Sequence, residues 1–172
     1  MPTEYILAYH CAPAFAGIKP SNIASCSKRE NPNITVQIKM LNEKLNKNDI
    51  YIDVLCECGE RVLLMVYRKQ KLCEYLQRDD IKSFLCDNGY PKEFSLIKYL
   101  AILKSRIYAQ RLMNKEFPHE IGAFLGYPLH DIYGFINHKH QGCLLTGEWK
   151  VYENTEQAKK LFCRYTVSYT HL

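Results

Sequence analysis

His119 and Glu120 are the residues of this chain best suited to moving a proton. An imidazole changes charge near neutral pH, and a neighbouring carboxylate can orient it. Both stand in the run Phe117-Pro118-His119-Glu120-Ile121-Gly122-Ala123-Phe124-Leu125-Gly126-Tyr127-Pro128. The pair opens like a zinc-protease motif, which needs a second His one helical turn later so that both imidazoles face one metal. Ala123 stands there, so the motif is absent. The competing reading puts His119 and Glu120 in a first helical turn, where a carboxylate favours the helix dipole.

A second group of residues could hold an anion. Gly17-Ile18-Lys19-Pro20-Ser21-Asn22 offers backbone N–H groups, the Lys19 ammonium and the Asn22 amide. The spacing is not that of a P-loop. Arg68, at the end of an apolar run, could add a second cation, and Tyr127 is a further ligand-binding candidate. The alternative is a structural loop, with Arg68 paired to a surface carboxylate. His10-Cys11 has the makings of a base and a nucleophile. Adjacent residues on a strand point to opposite faces, so His119 would be the better partner for Cys11. A packed thiol beside a loop is the simpler account.

Two further clusters contain metal-ligand types. Cys56-x-Cys58 is one half of a zinc knuckle without the other half. His138-x-His140 beside Cys143 could complete a set of four, but nothing in the spacing brings the two clusters together. No metal ligands and no cofactor are assigned from the sequence.

These groups need a framework. Tyr5 to Tyr9 reads as a short strand or the first turn of a helix, ended by Cys11-Ala12-Pro13, and Cys26 to Pro32 as a polar connection. Ile34, Ile38, Leu41 and Leu45 fall on one helical face. Ile50, Ile52 and Val54 alternate with polar residues, Cys58-Gly59 signals a turn, and Val62 to Val66 is unbroken apolar. That pattern predicts a hairpin whose second strand is covered on both faces. Lys71 to Gln77 is expected to be helical. A short helix follows from Asp79 or Asp80, stopped by Gly89. Leu96, Leu100, Leu103 and Ile107 mark a long amphipathic helix.

The glycine- and proline-rich corner then turns between two helices, with Ile132 and Phe135 inward on the second. Leu144 to Tyr152 predicts a strand with Trp149 and Val151 on one face. Asn154 or Thr155 opens a last helix with Ala158, Leu161, Phe162 and Tyr165 inward. The sum is an α+β domain: a small, partly antiparallel sheet packed against several helices. Residues 1–165 are expected to form this single domain, and 166–172, which carry no pattern, a non-native or truncated tail.

Composition narrows the function classes. Of 172 residues, 47% are hydrophobic and 24% charged, which fits a globular chain and not a disordered one. No apolar run approaches the roughly 20 residues that span a bilayer, and Met1-Pro2-Thr3-Glu4-Tyr5 lacks the form of a signal peptide. A cytoplasmic protein is expected, its eight cysteines reduced. The net charge of +5 is spread along the chain, too thin for a nucleic-acid footprint.

Five stretches together resemble an uncharacterised clostridial family, the domain of unknown function 3793. Cys11-Ala12-Pro13 through Ala16-Gly17-Ile18-Lys19 and Asn22 matches its opening motif. Val66-Tyr67-Arg68 with Leu72 and Leu76, and Phe84-Leu85 with Gly89-Tyr90, match the next two. The most distinctive is Phe117 to Gly122 with Phe124 to Pro128, Asp131 and Gly134-Phe135-Ile136. Gly147, Trp149-Lys150-Val151-Tyr152 and Ala158 close the resemblance. Ala14-Phe15 departs from it, standing where the family more often has Thr-Leu. The resemblance implies no reaction, ligand or partner.

The leading expectation is therefore a small-molecule or anion-binding domain that could also be an enzyme, with a cleft between the Lys19 loop and the His119 corner. A helix-turn-helix module is the first alternative. A recognition helix should offer cationic or amide groups to base edges. The second helix of the corner offers His130, Asp131, Tyr133 and Gly134 instead, and Asp131 would repel phosphate. A thiol or metal module is the second alternative.

Overall fold

The apolar run in mid-chain forms strand β3 (Arg61–Arg68), and the rest of the molecule is arranged around it. The structure, a computed structural model, describes residues 2–169. Val62, Leu64 and Val66 point to one side of β3 and are wholly buried. Met65 and Tyr67 are buried on the other. β1 (Ser21–Ser27) and β2 (Ile50–Cys58) flank it, both antiparallel, in the order β1-β3-β2. β2 and β3 are the expected hairpin, and a bulge at Leu55 shifts the register between Val54 and Cys56. The small sheet is thus entirely antiparallel among the described residues.

Helices cover both faces. α1 (Thr3–Phe15) and α2 (Ile34–Leu45) close the Leu64 face through Leu7, Cys11, Ile34 and Ile38. The Met65 face carries α3 (Lys69–Leu76), α4 (Asp79–Asp87) and the long α5 (Leu96–Met113). Leu103 and Ile107 of α5 are fully buried, and truncating either to Ala would cost about 2–5 kcal/mol. Beyond α5 come α6 (Ile121–Phe124), α7 (Leu129–Asn137), the two-stranded β4 (Leu145–Thr146) and β5 (Lys150–Val151), and α8 (Thr155–Tyr169).

Four local readings of the sequence need correction. Tyr5 to Tyr9 is helical, and α1 continues through Pro13 instead of ending at Cys11. The proline sits close to the end of the helix, and its carbonyl accepts the N–H groups of Ile18 and Lys19, closing the helix there. Ser21–Ser27, read as loop and connection, is a strand. Its inward residues Asn22, Ala24 and Cys26 are small, so α1 approaches closely and the apolar signal is weak. Leu144 to Tyr152 is a tight hairpin of two short strands with Gly147 to Trp149 at its turn, apart from the main sheet. Finally, α8 runs on past Tyr165 to Tyr169, with Ser168 buried. The remaining residues of the expected tail, 170–172, lie outside the described residues.

Candidate functional site

The corner between α6 and α7 is fixed by what its backbone must do. Tyr127 N–H returns to the Gly122 carbonyl at 2.9 Å, and Gly126 takes φ +76°. A side chain at Gly126 would be strained and would also meet the Pro20 ring at 2.7 Å. Ser21 Oγ donates to the Phe124 carbonyl at 2.7 Å. The Lys19 turn and the His119 corner are therefore direct neighbours. α7 is tied to the small hairpin by Asp131, which is buried. It accepts from Trp149 Nε1 and from the Tyr152 N–H, both at 2.7 Å, and from the Glu153 N–H at 3.2 Å. Asp131 faces inward, not towards solvent as the helix-turn-helix reading had it. Gly134 lies under Tyr152, where a Cβ would fall 2.5 Å from the ring.

These constraints leave a pocket of about 410 Å³ between the corner and the hairpin. Phe117, Ile121, Ile132, Phe135, Tyr127 and Trp149 give it apolar walls. His119, His140, Glu116 and Lys150 place polar groups along its lining. His119 Nε2 lies 3.3 Å from Glu116 Oε2. The His119 ring meets Phe135 and His140 edge-on, at centroid distances of 5.4 and 5.1 Å. His140 lies flat on Phe135, 4.1 Å away. Lys139 and His140 both adopt left-handed backbone, φ +47° and +67°. The His140 N–H bonds the Phe135 carbonyl at 2.9 Å. That reversal at the end of α7 swings His140 back over the helix. Lys150 Nζ donates to the His140 carbonyl at 2.7 Å.

The family described as proteins of unknown function, DUF3793, matches residues 7–172, nearly the full length. The chain belongs to the DUF3793 family. No curated protein and no solved structure matches it. Two of the stretches that carry the DUF3793 resemblance line the pocket, the corner itself and the segment of Trp149, whose ring is 5.0 Å from that of Tyr127; the Lys19 turn packs behind the corner, against Gly126.

The candidate residues of this DUF3793 chain divide sharply. His119 and Tyr127 line the pocket, whereas Lys19 does not. Lys19 is 1% exposed, with its Nζ 3.5 Å from Glu148 Oε2. The ammonium also lies 5.2 Å from the Tyr127 ring centre and 5.3 Å from that of Tyr165. Burial lowers the Lys19 pKa, and the Glu148 carboxylate pulls the other way. Glu120 turns away from His119 and accepts from Arg106 Nη1 at 2.5 Å and from the Tyr90 hydroxyl at 3.4 Å. The carboxylate beside His119 is that of Glu116.

Asn22 and Arg68 serve the frame. Asn22 Oδ1 accepts the Ala14 N–H at 3.0 Å, joining β1 to α1. Arg68 Nη2 donates to the Phe15 carbonyl at 2.5 Å and Nη1 to the Asn48 carbonyl at 3.3 Å. Lys71 Nζ donates to the Gly17 carbonyl. Two cations thus complete the C-terminal end of α1, where carbonyls lack helical partners. Arg68 is paired with carbonyls and not with the surface carboxylate that the loop reading supposed.

Cys11 is fully buried, and burial pushes its thiol up to about 12, with Lys19 opposing. A thiol so placed stays protonated and unreactive at neutral pH. Cys56 and Cys58 face each other with sulfurs 2.7 Å apart at the far end of the hairpin. His138 stacks on Tyr152, and Cys143 contacts Thr146 Oγ1. The supposed four-ligand set is therefore divided. Among the described residues, the group that could close on one metal ion is Glu116, His119 and His140, whose ligand atoms all lie within 4.8 Å of one another. Sequence reasoning missed Glu116. It named His140 only in the wrong company, because the reversal after α7 left no pattern to read.

Proposed function

We propose that this DUF3793 protein binds a small molecule with an apolar body and a polar or anionic head, in the pocket at the His119 corner. The observation that carries this is the pocket itself: concave, walled by aromatic and aliphatic side chains, with two imidazoles grouped along one side. Binding sites of this kind combine an apolar enclosure with a few convergent polar groups. Tyr127 and His119 belong to the binding surface. Lys19, Asn22 and Arg68 hold its frame. His119, oriented by Glu116, is the group available for proton transfer. We place the protein in the cytoplasm with reduced thiols, which the burial of Cys11 and Cys26 as neutral groups supports. No described helix is long and apolar enough to cross a membrane.

A nucleic-acid role draws little support from α7. The helix carries no Lys or Arg, its Asp131 is buried and its Gly134 is covered.

Trp149 is the sole tryptophan and lines the pocket, so its emission reports occupancy. Anilinonaphthalene sulfonate, an aromatic anion, serves as the probe. Saturable energy transfer from Trp149 to the probe is expected, and weaker binding in Phe117→Ala with the fold intact by circular dichroism. A folded protein whose Trp149 emission ignores saturating probe would remove the proposal.

A further inference from the structure

We propose that Glu116, His119 and His140 form a three-ligand site for a divalent transition-metal ion, with its open coordination position directed into the apolar pocket. The inference deepens the proposed binding function and rests on that reading for the identity of the pocket. It arises from the convergence of three side chains that the chain supplies from two separate segments. Glu116 and His119 come from the connection between α5 and α6, and His140 from the connection between α7 and β4. Their ligand atoms lie within 4.8 Å of one another. Two ligands of a tetrahedral ion, each about 2.0–2.1 Å from it, stand about 3.3 Å apart. His119 Nε2 and Glu116 Oε2 already have that separation, 3.3 Å. Rotation of the exposed Glu116 side chain and a small adjustment of His140 would close the triangle.

The donor set is two imidazoles and one carboxylate. Nitrogen-rich sites of this type favour zinc and its first-row neighbours over magnesium or calcium. Three protein ligands, instead of four, are the mark of a site that keeps a position for water or substrate. The fourth direction is constrained here by packing. Phe135 lies flat against His140 and edge-on to His119, and both histidines line the pocket together with Phe117 and Trp149. Lys150, which lines the pocket, is engaged with the His140 carbonyl and so braces the ligand loop. The ligand class follows: a small apolar molecule whose head carries a metal-coordinating oxygen, such as a carboxylate or hydroxamate.

Cobalt(II) is the decisive probe, because its spectrum distinguishes ligand types. Chelator-treated, reduced full-length protein is titrated with Co²⁺ and, separately, with Zn²⁺. One equivalent is expected to bind with weak visible d–d bands and no thiolate charge-transfer band. His119→Ala and His140→Ala should each lower the affinity by about a hundredfold, as ligand loss exceeds second-shell effects of 10–100-fold. His138→Ala, which removes an imidazole outside the cluster, should leave affinity unchanged. Absence of binding, binding that survives the His119→Ala/His140→Ala double variant, or a thiolate band from Cys56 and Cys58 would each overturn the site.

Benzohydroxamate tests the open position. Its quenching of Trp149 should be at least tenfold tighter in zinc-loaded protein than in metal-free protein, and equal affinity overturns that part. The pocket reading is judged separately, by anilinonaphthalene sulfonate binding to metal-free protein. Metal bound without a probe response would retain the site and discard the pocket function.

Discussion

Lys19 and His119 are both basic side chains packed about the same corner, yet their surroundings are opposites. Lys19 sits in a closed cage: Glu148 neutralises it, two tyrosine rings face it and solvent barely reaches it. His119 sits in an open arrangement whose polar partners, Glu116 and His140, are on the pocket side and partly exposed. The first is a satisfied charge that holds the α8 end of the molecule to the turn after α1. The second leaves chemistry available. A basic residue in a motif therefore says nothing about ligands until its partners are known.

The sharpest way to break the comparison is Glu148→Ala. It strands the buried ammonium, so a loss of about 3 kcal/mol in unfolding free energy is expected. Lys19→Met removes the charge together with its need for a partner and should change stability by no more than about 1 kcal/mol. Urea denaturation measures both. If Lys19→Met proves as damaging as Glu148→Ala, the cage depends on its cation in some further way. If it abolishes probe binding in a stable protein, Lys19 belongs to the site after all.

Arg68→Met should come next, at about 2 kcal/mol, since it leaves the Phe15 carbonyl at the end of α1 and the Asn48 carbonyl without their charged donor. Arg68→Lys should recover only part of this, because a single ammonium cannot fork between the Phe15 and Asn48 carbonyls.

The same contrast explains what the sequence could reveal. α2, α5 and the β2–β3 hairpin bury large apolar residues at regular spacing, and each was readable from that spacing alone. β1 was hidden because its inward residues are Asn22, Ala24 and Cys26, chosen small for the close approach of α1. Pro13 obscured the end of α1 by suggesting a stop that the helix does not make. The corner was legible through Gly126 and Pro128. Its chemistry was not, because Glu120 looked like the partner of His119 by adjacency, whereas burial claims it for Arg106 and Tyr90. The true neighbour, His140, arrives through a left-handed reversal that no periodicity encodes.

Alkaline pH offers a subtler probe of the closed side. Unfolded Cys11 releases its proton near 9.0, while the folded thiol holds it until about 12. Between those values the folded state binds more protons, so stability must fall as pH rises, by up to about 1.4 kcal/mol per unit for this group. Tyr127 and Tyr165, also pushed up to about 12 by burial, act in the same direction at slightly higher pH. Lys19 acts in the opposite sense, because its folded pKa is lowered from 10.5 and its burial penalty eases as the pH climbs towards that value. Urea midpoints of wild type and Cys11→Ala, compared over this range, should show a shallower decline in the variant. Parallel curves would mean that the thiol is not held as described.

The smallest effect is expected at His119 itself. Its imidazole is partly exposed, its hydrogen-bond partner Glu116 is a largely solvated carboxylate, and its ring contacts are with side chains at the pocket surface. Nothing buried loses a partner when it is replaced. His119→Asn should therefore leave the unfolding free energy within about 0.5 kcal/mol of wild type. A residue that adds little to the fold and yet is held by edge-on ring contacts and a neighbouring carboxylate fits the binding role proposed for it. A large destabilisation by His119→Asn would reverse that inference and make the imidazole, like Lys19, a part of the frame.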